Sequence, residues 1–302
     1  MSILIFGSTG FIGKNLVSFL QTNYVVNEIS LRDVNWKNKI NNQDVFINLI
    51  GKAHDNKGIA KAEDFYFANV ELTKQIFDTF VNSNAKILIH ISSLAALEEL
   101  ESEKALDEEA NSNPQSFYGK SKRAAEEWLL EQSLPSNKKV IILRPPMVHG
   151  PGDKGNLGLL YKLISKGIPY PLASFDNKRS FISIDNLSFF VKEIIEKQYL
   201  LQSGIYHITD DEPISTMQII NVIKKVESRD VMNLSIPKFI VKGLAMVGDV
   251  IPIPLNSLRL KKMTSNLILS NQKIKTALNI KQLPLSAEEG IIKTIKSFKI
   301  GS

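Results

Sequence analysis

Ser2-Ile3-Leu4-Ile5-Phe6, then Gly7-Ser8-Thr9-Gly10-Phe11-Ile12-Gly13, then Phe11–Gln21 follow one another without interruption. The first is an apolar run of strand length, and the last has the apolar spacing of a helix. Between them stand three glycines. Residues without a side chain permit a tight turn and let a ligand lie against the main chain. The helix opening there offers unpaired N–H groups and the positive end of its dipole. Such a turn cradles a phosphate, and at this spacing the pyrophosphate of a dinucleotide. Gly7, Thr9, Gly10, Phe11, Ile12 and Gly13 are therefore the candidate cofactor contacts. A bare glycine triplet is weak; between an N-terminal strand and an amphipathic helix it is strong.

Working outward, strand and helix signals alternate. Tyr24–Ser30 and Asp44–Ile50 read as strands, Ala62–Val81 as a long amphipathic helix, Lys86–Ile91 as a strand, Ser116–Glu131 as a helix and Lys139–Leu143 as a strand. Continuous apolar strands separated by helices predict a parallel sheet covered on both faces, a doubly wound α/β fold of Rossmann type. Residues 31–43 are too few for a helix plus a strand, so one crossover is expected to be abbreviated. After Arg144 the texture changes: Pro145, Pro146, Gly150, Pro151, Gly152, Gly155 and Gly158 mark irregular loops. Residues 1–150 read mainly as the dinucleotide-binding part. Residues 151–302 read mainly as a smaller C-terminal substrate-binding lobe on the carboxyl edge of the sheet, with some return to that sheet.

Composition narrows the chemistry. The 302 residues include no cysteine, which excludes disulfides and thiolate catalysis. His54, His90, His149 and His207 show no metal-ligand spacing, so no metal site is expected. No apolar run approaches the roughly 20 residues of a membrane span. The glycine turn arrives where a signal peptide would still be apolar, so a cytoplasmic protein is expected. The net charge of +6 and pI near 9.2 reflect either a lysine-rich composition or attraction to an anionic substrate or membrane surface. No basic run is interleaved with aromatics, which argues against nucleic acid.

The second strand ends Ile29-Ser30-Leu31-Arg32-Asp33. NAD binders place an acid at this strand end for the ribose 2′-OH, and NADP binders place an arginine nearby for the 2′-phosphate. Ser30 stands where the acid would be and Arg32 follows, which favours NADP(H) slightly over NAD(H). Asp33 could still hold a ribose hydroxyl or lie near the adenine.

Tyr118-Gly119-Lys120-Ser121-Lys122 opens the helix over residues 116–131, with Tyr118 and Lys122 one turn apart on one face. A free tyrosine titrates near 10. A cation within about 4–6 Å lowers such a group by roughly 1–3 pH units, toward useful acid/base chemistry. Lys122 can also hold the cofactor ribose. Ser92-Ser93 ends the strand over residues 86–91 at the carboxyl edge, where a hydroxyl can hydrogen-bond a substrate oxygen. A tyrosine and a lysine one turn apart are common by chance. Downstream of the glycine turn and the serines, they read as a catalytic pair.

These features resemble the extended short-chain dehydrogenases/reductases of the NAD-dependent epimerase/dehydratase family, nucleotide-sugar enzymes of bacterial polysaccharide synthesis. The resemblance rests on Gly7–Gly13, on Asn69 in the Asn-Val-x-x-Thr pattern, on Ser92-Ser93, and on Tyr118/Lys122. It continues in Arg144-Pro145-Pro146-Met147-Val148-His149-Gly150-Pro151-Gly152 and in Arg179-Ser180-Phe181-Ile182-Ser183-Ile184-Asp185-Asn186. It implies that Ser93 rather than Ser92 joins Tyr118 and Lys122 in catalysis. It further implies that Arg179, and Asn156 in Lys154-Gly155-Asn156-Leu157, contact the diphosphate of a nucleotide sugar. Asn156 reads equally as the N-cap of a helix over residues 157–165. Met147 and His149 depart from the Asn and Tyr common in the family. Leu94-Ala95 stands where the sugar dehydratases carry an acidic pair, which removes dehydration.

Two reactions remain on the same hydride chemistry. Arg32 favours reduction, and the 144–152 stretch with its double proline resembles reductases acting on UDP-4-keto-6-deoxy-N-acetylhexosamines. The tail Leu255-Asn256-Ser257-Leu258-Arg259-Leu260-Lys261-Lys262 resembles enzymes that epimerise N-acetylglucosamine at C4 on a polyprenyl diphosphate, which keeps open the alternative, NAD-dependent 4-epimerisation of a UDP- or polyprenyl-diphosphate-linked N-acetylhexosamine. A non-catalytic dinucleotide sensor or assembly protein is a third reading, though such proteins commonly lose the Tyr or Lys. Ile236–Leu255 is mostly apolar. It reads as a helix capping the lobe followed by an extended connector, or as a patch making weak peripheral contact with a bilayer. The resemblance also implies a homodimer through the helices over 62–81 and 116–131.

Overall fold

The computed structural model describes residues 1–40, 42–53, 59–153, 155–251 and 255–300; His54, Lys154 and the prolines at 252 and 254 lie outside them. Six strands form one parallel sheet: β1 (Ser2–Phe6), β2 (Val25–Ile29), β3 (Val45–Asn48), β4 (Ile87–Ile91), β5 (Lys139–Arg144) and, after an outer pair, β8 (Gly204–His207). Their spatial order is β2-β1-β3-β4-β5-β8. The outer pair is β6 (Met147–His149) with β7 (Phe181–Ser183), also parallel. The sheet is Rossmann-like, as the sequence predicts.

The short crossover has a clear consequence. Among the described residues a single 3₁₀ turn, Trp36–Lys39, lies between β2 and β3. The chain passes from one side of β1 straight to the other, so β2 is left as the edge strand. The buried Trp36 ring packs edge-on against Phe6 at 5.7 Å, filling the space a further helix would occupy.

Alternation along each strand decides what packs where. Ile3, Ile5, Ile47, Ile89 and Leu143 face α1 (Phe11–Leu20), α6 (Ile184–Glu196) and α10 (Gln272–Leu278). Leu4, Phe6, Phe46, Leu88 and Ile142 face α3 (Leu72–Val81) and α4 (Phe117–Glu131). The helix predicted over residues 62–81 is present as α2 (Ala62–Tyr66), a π-helical turn at Phe67–Glu71 and then α3. A second core gathers α5 (Asn156–Ser165), α7 (Thr216–Glu227), α8 (Lys238–Gly248), α9 (Ser257–Thr264) and α11 (Ala287–Ile300). Gly155 caps α5, and Asn156 is its first residue, exposed, so the N-cap reading of Asn156 is corrected. Among the described residues no helix is long and apolar enough to cross a membrane.

Candidate active site

The chain leaves β1 into its glycine turn at the point where neighbouring strands run off in opposite directions, to β2 on one side and β3 on the other. Open α/β sheets bind ligands at such a crevice. Gly7 has φ +84°, and a Cβ there would lie 3.0 Å from the Leu49 carbonyl carbon. A Cβ on Gly13 would fall 2.4 Å from the Gly7 oxygen. Gly7 therefore needs glycine for conformation and for space, and Gly13 for space. Gly10 caps α1 without a side-chain hydrogen bond, and no acid stands in the first turn. The turn and the helix end form an open cradle of N–H groups that fits a dinucleotide pyrophosphate. Thr9 and Gly10 are exposed on it, and Phe11 and Ile12 are half-buried beside it.

At the end of β2, Arg32 is exposed or nearly so at the rim of this crevice, and Asp33 is committed within its own turn. The Asp33 carboxylate accepts from the Asn35 amide at 3.0 Å and pairs with Lys39, which holds it below the usual carboxylate range.

The second cluster forms where β4 ends against α4. Ser116 caps α4, accepting from the Gly119 amide at 3.0 Å. Ser93 begins a 3₁₀ turn (Leu94–Ala96) and accepts from the Ala95 amide. The Tyr118 and Ser93 hydroxyls hydrogen-bond each other. Burial pushes Tyr118 up, and Glu99 and Glu126 add to this, while the Ser93 bond partly offsets it. Lys122 therefore does not lower Tyr118 in this structure, contrary to the expectation from sequence. Its Nζ instead donates to the Ile91 carbonyl at 2.8 Å, and burial brings Lys122 itself down to about 8, against a smaller opposing pull from Glu126.

Gly119, between the two, is fixed by contact. A Cβ there would sit 2.4 Å from the Ala95 carbonyl oxygen and 2.5 Å from a Glu99 carboxylate oxygen. Gly119→Ala would wedge α4 away from the turn that carries Ser93. Activity is expected to fall by on the order of 10², the penalty for roughly 1 Å of misplacement, with little change in dinucleotide affinity. Steady-state kinetics beside a binding titration check this, and a Gly119→Ala variant with wild-type kcat would refute it.

Two further networks hold this arrangement through contacts that sequence reading does not reveal. Glu126, one turn beyond Lys122, is fully buried; it accepts from Arg144 through Nε (2.9 Å) and Nη2 (2.7 Å) and from Ser92 at 2.5 Å. Asn69, in the π-helical turn, bridges the Lys52 main chain to the Ser121 hydroxyl (2.7 Å), and Ser121 in turn donates to the Tyr118 carbonyl. The spacing of Glu126 from Lys122 and the lone arginine closing an apolar strand are the only signals of the buried pair that the sequence offers.

The sequence-predicted phosphate ligands lie apart from this cluster. Arg179 is half-buried; its Nη1 donates to the carbonyls of Lys262 (3.0 Å) and Ser265 (3.2 Å). Lys262 also pairs with Glu99 at 3.2 Å, and Glu99 accepts from the Ser116 amide and hydroxyl. Arg179 thus meets the segment that packs on the start of α4. Asn156 stands separately on α5. His149 is buried, with Nδ1 at 2.9 Å from the Thr294 hydroxyl, so it belongs to the packing of β6 on α11.

A parallel sheet of this order with a glycine cradle at its crossing point defines the class: an enzyme fold that binds a nicotinamide dinucleotide. The chain belongs to the NAD dependent epimerase/dehydratase family, whose pattern matches residues 3–208. It is 29% identical over 263 residues to UDP-glucose 4-epimerase of Vibrio cholerae, covering 78% of this chain and 79% of that one. It is 24% identical to N-acetyl-alpha-D-glucosaminyl-diphospho-ditrans,octacis-undecaprenol 4-epimerase of Escherichia coli O157:H7, covering 78% and 75%. The fold superposes on UDP-glucuronic acid 4-epimerase from Bacillus cereus in complex with NAD with a TM-score of 0.77 at 17% identity, over 99% of each chain.

Proposed function

We propose that the protein is an NAD(P)-dependent 4-epimerase of a sugar carried on a diphosphate, nucleotide- or polyprenyl-linked. This departs from the reductase favoured by the sequence. What carries the reading is the Ser93–Tyr118–Lys122 set beside the glycine cradle, next to apolar Leu94 and Ala95, which offer no acid or base for expelling water. The two relatives named above, both 4-epimerases, support it.

In this reading the hydroxyls of Ser93 and Tyr118 hold the sugar O4, and Tyr118 takes and returns its proton. Lys122, buried with Nζ on the Ile91 carbonyl, holds the cofactor ribose. A dinucleotide held by the glycine cradle and Lys122 would supply the hydride acceptor, and then the hydride donor, for the sugar C4. The unbonded part of the Arg179 guanidinium and the exposed Asn156 reach the diphosphate. The homodimer keeps its place in the proposal: Tyr66, Phe67, Phe117 and Leu130 leave apolar surface exposed on the α2–π–α3 and α4 helices, and a monomer mass in light scattering would remove it.

One observation favours the second reading, an NADP(H)-dependent 4-keto reductase. Arg32 stands at the end of β2 with no acid competing for the ribose, since Asp33 is engaged by Lys39 and the Asn35 amide. A single experiment separates them. The dinucleotide that co-purifies is identified, then gluco- and galacto-configured UDP and polyprenyl-diphosphate N-acetylhexosamines are incubated with the protein. Interconversion without net change in 340 nm absorbance is expected. Stoichiometric NADPH oxidation on a 4-keto sugar would replace epimerase by reductase, and dinucleotide binding without turnover on either would leave a sensor.

A further inference from the structure

Helix α8 carries its polarity the wrong way round for a helix on a water-facing surface. Val241 and Ala245 are its buried residues, one turn apart, and they anchor it to the lobe. The opposite side carries Phe239, Ile240, Leu244, Met246 and Val247, all exposed, with Phe239 at 75% and Met246 at 67%. At 100° per residue Phe239, Ile240, Leu244 and Val247 form a broad apolar face. The apolar surface continues past the helix into Val250 (86% exposed) and Ile251, and the preceding loop adds Met232 (71%). Water-facing monomer surfaces rarely gather so much contiguous apolar area.

The charge beside this face is mainly positive. Residues 232–264 hold Lys238, Lys242, Arg259, Lys261 and Lys262 against the single acid Asp249. Lys261 and Lys262 pair with Glu101 and Glu99. Lys238 and Lys242 lie on the flank of α8 that turns toward α9. With Lys261, Phe175, Met246, Leu260 and one acid, Asp176, they line a cavity of about 510 Å³ between the two helices, three lysines against one carboxylate. Lys238 lies over the Phe175 ring at 5.7 Å. An apolar helical face with a lysine-lined recess at its margin is the arrangement that seats acyl chains on the one and anionic headgroups in the other.

We propose that α8 and its flanks dock the protein on an anionic phospholipid bilayer, with Phe239, Leu244 and Val247 in the acyl boundary and Lys238 and Lys242 at headgroup level. Charge complementarity selects a lipid surface over a second copy, because two copies of this face would bring the same lysines together. The same surface orients the lobe: Ser265 lines the recess, and its carbonyl accepts from Arg179. The recess therefore opens within one side chain of the diphosphate position proposed above. A sugar on a membrane-held diphosphate could then be presented without leaving the bilayer. Docking itself does not depend on the C4 chemistry.

The test is flotation of the full chain with vesicles of phosphatidylcholine alone or with added phosphatidylglycerol, at low and high salt. The wild type should float with the anionic vesicles, and neutral lipid or high salt should weaken this by at least about tenfold. Phe239→Ser/Val247→Ser and Lys238→Glu/Lys242→Glu should each lose most of it. These positions lie on the outer face and flank of α8, so circular dichroism and dinucleotide affinity should stay at wild-type values. No flotation of the wild type, or wild-type flotation of both variants, overturns the proposal. So does a change of oligomeric mass in the Ser variant, which would assign the face to a second copy. Turnover of a UDP-linked sugar in the same preparations reads the catalytic proposal separately, since its loss would leave flotation unchanged.

Discussion

Tyr118→Phe is expected to lower turnover by about 10²–10⁴-fold, the contribution of a matched general acid/base, while leaving dinucleotide affinity near wild type. The substitution removes one oxygen from a half-buried ring. The glycine cradle, the Lys122 contact with Ile91 and the Glu126–Arg144 pair are untouched. Ser93 keeps its bond from the Ala95 amide but loses its phenol partner. The pH profile carries the diagnosis. Burial and two carboxylates hold Tyr118 above its ordinary value, so across the neutral range it is the protonated acid, ready to donate to a ketone. Removing a proton from the sugar hydroxyl needs the phenolate, whose population rises tenfold per pH unit below its pKa. Lys122, down to about 8, is charged below that pH and loses its charge above it, weakening the hold on the cofactor ribose proposed above. Wild-type kcat for the oxidative half-reaction should climb with pH and flatten near 8, and the Phe variant should show no climb. A variant retaining near-full activity would refute the role of Tyr118.

Local signals reach far into this fold. Ser2–Phe6 is bounded in sequence as in structure, because an apolar run stopped by a glycine with positive φ leaves little freedom in where a strand ends. The abbreviated crossover is a matter of chain length alone. The π-helical turn at Phe67–Glu71 is not legible, since periodicity over residues 62–81 is satisfied by a plain α-helix. The extra residue is held by Asn69 meeting the Lys52 main chain and Ser121, partners 17 and 52 residues away. Within the site, Tyr118, Lys122 and Ser93 are readable because their spacing and strand-end position are local, and the structure brings them together. Arg179 is readable as a charge but not as a donor to the carbonyls of Lys262 and Ser265, which depends on where α9 packs. Glu126 is the least visible. In Ala-Ala-Glu-Glu-Trp it reads as an outward helix residue, and only the arrival of Arg144 from β5 makes its burial tolerable.

Arg144→Met should destabilise the fold by about 3–5 kcal/mol, because it leaves a carboxylate buried without its counter-charge. Glu126 is 0% exposed and Arg144 1%. Two charge-assisted bonds in a fork, at 2.9 and 2.7 Å, would be lost together. Arg123, at 3.9 Å on the rim, is too far and too exposed to replace them. The Ser92 hydroxyl alone would face the carboxylate. His207 offers no help. Burial and the neighbouring Arg144 hold it neutral, down to about 3, and it accepts from Arg144 at 3.4 Å. Urea denaturation of the variant gives the magnitude. The double variant Glu126→Leu/Arg144→Met separates a stranded charge from lost packing. Two apolar side chains of similar volume strand nothing, so the double variant should recover most of the stability. Activity should not recover with it. Glu126 also anchors Ser92, the residue before Ser93, and without that bond the end of β4 loses one of the contacts that fix it to α4, leaving that of Lys122 with the Ile91 carbonyl. A double variant as unstable as the single would show that packing, not charge, explains the loss. A double variant restored in both stability and kcat would show that the pair holds the fold but does not position the site.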